Sequence, residues 1–125
     1  MDRERFERLA REAFEGLPHG FKRYITNVAI MVEDSPGPPT RRGLRVPRGG
    51  TLLGLYHGIP LKNRSSYYGN TPPDVIILYQ RPIEDLGGGE AEIKARVREV
   101  LMHEIGHFFG LTEEELRDIE AEDGY

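Results

Sequence analysis

No cysteine occurs in the 125 residues of the chain. That excludes a disulfide framework and limits any metal site to nitrogen and oxygen donors. There is also no apolar run long enough to span a bilayer. The amino terminus, Met1-Asp2-Arg3-Glu4-Arg5, leads into an amphipathic helix and not into the apolar stretch of a signal peptide. A cytoplasmic location without a membrane partner is the expectation. Basic charge is not in excess: the net charge is −4, which argues against a general nucleic-acid binder. Lysine is scarce, three residues against fourteen arginines, a bias to which no function attaches. No internal repeat is visible.

The length fits one domain spanning 1–125, large enough for a real core and small for an enzyme. Phe6, Leu9, Ala10, Ala13, Phe14 and Leu17 recur at helical spacing and predict a helix from Asp2 to Glu15. Asp2 serves as its N-cap, and Gly16 with Pro18 as its stop. Tyr24 to Glu33 is nearly continuous in apolar and β-branched residues, which predicts a strand covered on both faces. Further strands are expected at Thr51 to His57 and Val75 to Gln80, the latter bounded by Pro72-Pro73 and Pro82. Gly87-Gly88-Gly89 then breaks the chain before a long helix from Glu90 to Phe109. A short acidic helix follows. Because β-α-β alternation is absent, an α+β fold is expected. Its sheet would be small, mostly antiparallel or mixed, with about three to four strands.

The long helix carries His103-Glu104-Ile105-Gly106-His107-Phe108-Phe109-Gly110, and with it the pattern H-E-x-x-H. Helical residues four apart share a face, so His103 and His107 can aim two imidazole nitrogens at a single metal ion. Glu104, about 100° around the helix, would reach a water on that ion. This is the arrangement of a zinc hydrolase with a glutamate general base. The apolar arc formed by Ile93, Val97, Val100, Leu101, Ile105 and Phe108 encloses Glu104. A carboxylate aimed into such a stripe is costly unless it is paired or has a task. One Zn2+ ion is the expected cofactor, although two histidines and a carboxylate also suit iron.

Catalytic zinc usually takes three protein ligands. Gly110 can end the helix in the left-handed conformation and turn the chain back. In the longer pattern H-E-x-x-H-x-x-G-x-x-H that turn delivers a third histidine, and Glu113 stands at its place here. Glu113 is therefore the preferred third ligand. Thr112 and Glu115 also form an apparent capping box, which gives Glu113 and Glu114 a role at a helix start without any metal. Glu114, His57, Glu120 and no third ligand remain as alternatives.

Two loops call for separate readings. Asp34 to Gly50 holds four prolines, four glycines and Arg41, Arg42, Arg45 and Arg48. Its composition favours a solvated arm over a basic flap that recruits an acidic partner. The second loop, Ile59 to Pro73, carries Tyr67 and Tyr68. They are weak candidates for substrate contact, where a hydroxyl would stabilise an oxyanion. His57, at a strand end, is a third weak candidate. His19, in a turn, attracts no function.

His103, Glu104, His107, Gly110 and Glu113 resemble an extended zincin signature. Length and element order are similar to the small bacterial zincin-like metallopeptidases, or minimal zincins. The resemblance spans nearly the whole chain, including Gly54 to Leu61. An acidic residue commonly stands in that family where this chain has Glu113, which implies a carboxylate third ligand. The metzincins proper differ: they have a histidine there and a methionine turn beneath the metal, and no methionine follows Met102 here. The resemblance implies a zinc-dependent hydrolase that acts on a peptide or protein, with Glu104 as its base. The alternatives are a hydrolase of another amide or ester, and a metal-stabilised binding protein without turnover.

Overall fold

The computed structural model describes residues 1–36, 52–58 and 72–122. Eight elements follow in order. They are α1 (Arg3–Glu15), α2 (His19–Lys22), β1 (Val28–Glu33), β2 (Gly54–His57), β3 (Asp74–Tyr79), α3 (Gln80–Asp85), α4 (Glu90–Phe108) and α5 (Glu113–Glu122). The fold is α+β, as the element pattern predicts. The loop readings for 37–50 and for Tyr67 and Tyr68 fall outside the described residues.

The three strands form one mixed sheet in the order β1-β3-β2. β1 runs parallel to β3, with Ile30 opposite Ile76 and Val32 opposite Leu78. β2 runs antiparallel to β3, with Gly54 opposite Leu78 and Tyr56 opposite Ile76. Strand side chains alternate in direction, so Ile76 and Leu78 share a face with Ile30, Val32, Gly54 and Tyr56. The helices cover that face: α1 lies against α4 and β1, while α4 lies against β2 and β3. Phe6, Phe21, Ile76, Leu78, Ile83, Val97, Leu101 and Ile105 are fully enclosed between the layers. Each such side chain contributes about 1.5–3 kcal/mol over its exposed state.

Local chemistry sets the helix ends. Asp2 Oδ1 accepts the Arg5 N–H at 2.8 Å and starts α1. Gly89 N–H donates to Glu92 Oε2 at 3.0 Å at the start of α4. Thr112 and Glu115 make the full reciprocal box at the start of α5, with bonds of 2.9 and 3.1 Å. Lys94 and Glu12, 3.1 Å apart, join α4 to α1 on the surface, as do Arg5 and Glu90. Exposed pairs of this kind contribute little. No helix among the described residues is long and apolar enough to cross a membrane.

Four expectations are corrected. The strand predicted from Tyr24 begins at Val28, because Phe21 to Ile25 close turns through the Tyr24→Phe21 and Ile25→Lys22 backbone bonds. Nor is β1 covered on both faces: Met31 on its far face is 48% exposed, and among the described residues β1 forms a sheet edge. Gln80 opens α3 instead of ending β3; its side chain is buried between Arg3 and the Met1 carbonyl. Phe108 lies on the edge of the apolar arc of α4 and is 47% exposed, although its ring stacks on a residue of β2.

Candidate metal centre

α4 brings His103 and His107 together. Both are exposed, with ring centroids 4.2 Å apart and planes inclined by 42°. The helix ends directly after them. Gly110 N–H donates to His107 O at 3.2 Å, and Leu111 N–H reaches back to Gly106 O at 2.7 Å. These paired bonds require a left-handed residue between them, and Gly110 has φ +71°. The chain therefore turns where the glycine predicts. It then enters α5 so closely that a Cβ at Gly106 would meet Leu116 Cδ2 at 3.0 Å.

Glu104 is half-buried beside the imidazole pair. Its Oε1 accepts the main-chain N–H of Tyr56 at 3.2 Å. Burial pushes the carboxyl above its ordinary value, opposed by the Tyr56 N–H and by the charge of His103 and His107. The costly carboxylate of the apolar arc thus has a partner, and that partner is backbone.

Tyr56 is fixed on two further sides. Its ring stacks on Phe108 at 4.0 Å with an interplanar angle of 18°, and Phe109 approaches it edge-on at 5.9 Å. Its hydroxyl donates to Asp74 Oδ2 at 2.6 Å, and both residues are buried. Beyond it, Gly58 leaves room for the Phe108 ring, whose Cζ would stand 2.5 Å from a Cβ there. Sequence reasoning singled out neither Tyr56 nor Asp74. The alternation of β2, which turns Gly54 and Tyr56 toward α4, was the only available signal.

The remaining candidates are distributed over β2 and α5. His57 is exposed and follows Tyr56 in β2, so its side chain points to the opposite sheet face. Glu113 is exposed at the first position of α5, and Glu114 and Glu120 lie farther along that helix, also exposed. Glu120 accepts from Arg98 at 3.0 Å. Among the described residues, no three His, Asp or Glu side chains converge into a metal-holding cluster.

A family model described as zincin-like metallopeptidase matches residues 25–123. The chain belongs to that family. The match includes β2, α4, the Gly110 turn and Glu113. No curated protein matches the chain. Among solved structures, it is similar to a conserved hypothetical protein from Thermo thermophilus. The two share 25% identity over 87% of this chain and 94% of that one, with a TM-score of 0.53. This zincin-like chain thus has a structural relative over most of its length.

Proposed function

We propose that this zincin-like protein is a cytoplasmic zinc-dependent metallopeptidase. In this reading one Zn2+ ion is held by His103, His107 and Glu113, and Glu104 is the general base. The observation that carries the reading is Glu104 itself: a half-buried carboxylate, held by one backbone N–H, beside two exposed imidazoles. A merely solvated helix gives no reason to bury it.

The donor chemistry fits zinc. His103 and His107 supply two nitrogen donors from one helical face, and no thiol is present to favour a softer ion. Glu113 is assigned as the oxygen ligand because the Gly110 turn carries the chain back from α4 before α5 begins. When bound, zinc would acidify a water and polarise the scissile carbonyl. Glu104 has two oxygens with separate tasks. In the free protein Oε1 rests on the Tyr56 N–H, while Oε2 is the oxygen left to accept a proton from the attacking water and return it to the leaving amine nitrogen.

Elemental analysis of wild type, His107→Ala and Glu113→Ala tests the ligand set, and a mixed peptide pool tests turnover. Near-stoichiometric zinc that falls in both variants supports the assignment, together with cleavage that Glu104→Gln abolishes while retaining zinc. Zinc lost only in His107→Ala returns Glu113 to the helix start. Bound zinc without cleavage of any peptide favours another amide or ester substrate, or a metal-stabilised binding protein.

A further inference from the structure

β2 is paired by β3 on one side only among the described residues. Its register fixes which backbone groups face outward. Tyr79 N–H donates to Leu53 O at 2.9 Å just beyond the Gly54↔Leu78 pair. Antiparallel pairs alternate between bonded and non-bonded types. Leu55 and His57 therefore exchange bonds with β3, whereas Gly54 and Tyr56 turn their N–H and C=O groups away from it. The outward N–H of Tyr56 is the one that Glu104 Oε1 accepts. The side chain of Tyr56 cannot easily swing to relieve this, because Asp74 holds its hydroxyl and Phe108 its ring.

Resting on the peptidase reading above, we propose that Glu104 and an extended peptide compete for a single donor, the main-chain N–H of Tyr56. In the free protein the carboxylate caps the β2 edge. A peptide that adds to this edge places a main-chain carbonyl on the same N–H, and the carboxylate is displaced toward the reacting bond. One acceptor replaces another and no covalent bond changes. Tyr56 is thus a positioning residue that ties release of the base to occupation of the edge. The ligand this selects is an extended main chain with residues on both sides of the scissile bond. A small amide or ester without flanking peptide units leaves the base capped.

The test uses zinc-loaded protein and, as its probe, a mixed pool of acetylated, amidated hexapeptides. Glu104→Gln keeps an oxygen for the Tyr56 N–H, and Glu104→Ala removes it; both lack the base and bind without cleaving. Equilibrium dialysis should show Glu104→Ala binding the pool about fivefold more tightly than Glu104→Gln, the worth of one neutral hydrogen bond. Without peptide, exchange of the Tyr56 amide should be protected in wild type and Glu104→Gln, and about tenfold faster in Glu104→Ala. Equal affinities in the two variants, with the pool cleaved by wild type, would overturn the competition and leave the peptidase reading standing. No binding by either variant and no cleavage by wild type would sink the peptidase reading, and this proposal with it.

Discussion

Tyr56→Phe removes one oxygen and little else. The ring keeps its stack on Phe108, and the main-chain N–H keeps Glu104. What disappears is the 2.6 Å bond from the hydroxyl to Asp74 Oδ2, made where both residues are buried. A hydrogen bond to a charged group contributes about 1.5–3 kcal/mol. Asp74 also has an interaction beyond this bond, so the residue is not left without a partner. The loss should therefore lie at the lower end, about 1.5–2 kcal/mol, equivalent to about 5–10 °C in Tm for a chain of this size. Urea unfolding of metal-free protein, followed by far-UV circular dichroism, is the appropriate assay, because bound zinc would add its own linkage term. The midpoint should fall with the slope unchanged. A double-mutant cycle with Asp74→Ala isolates the bond: the double variant should be less destabilised than the sum of the singles by at least about 1 kcal/mol. Additivity within about 0.5 kcal/mol would refute the view that this pair braces β2. Zinc content should stay at the wild-type level throughout.

Other perturbations probe single features. Gly110 has φ +71° and a Cβ there would touch nothing, so Gly110→Ala meets only the backbone penalty of about 1–2 kcal/mol in urea titration. Gly110→Asn should recover part of it, because asparagine tolerates the left-handed region better. Thr112→Ala breaks the reciprocal box with Glu115 and should cost about 1 kcal/mol, again by urea titration. Glu104→Gln should make the metal-free protein more stable at neutral pH, seen as a higher Tm. Burial raises the folded pKa of Glu104 above its unfolded value, so ionisation costs stability above the folded pKa and nothing below the unfolded one. The advantage of Glu104→Gln should therefore shrink as pH falls through that window; an advantage constant with pH would contradict the burial argument.

Much of α1, α4 and α5 was legible because each has a local code. Apolar spacing marked the core of α1, Asp2 its start, Gly110 the end of α4, and Thr112 with Glu115 the start of α5. Even the discord of Glu104 within an apolar arc was readable, and the structure places it half-buried as that discord requires. The helices α2 and α3, of four and six residues, were not legible, since neither completes two turns of periodic pattern. Residues 24–27 read as strand because Ile25 is apolar, yet it reaches the core from a turn. The partners of Glu104 were hidden for another reason. Tyr56 lies 48 residues away from it and 18 from Asp74. Contacts that distant follow from strand order and register, which no local signal specifies.

Strand order explains why a carboxylate is tolerated at this point of α4. An unpartnered buried carboxylate would shed its charge or destabilise the fold. It needs a donor that the sheet does not already use. β3 is central, and its N–H groups serve the ladders on both sides. β1 is also an edge among the described residues, but it lies beneath α1. Among the described residues only β2 is both an edge and a neighbour of α4, and only every second residue of it turns an N–H outward. A slip of one residue would turn the Tyr56 N–H back toward β3 and move its ring off Phe108. The Tyr56–Asp74 bond and the Tyr56–Phe108 stack both oppose that slip. Register in β2 and the placement of Glu104 are therefore one constraint, and loosening either should disturb the other.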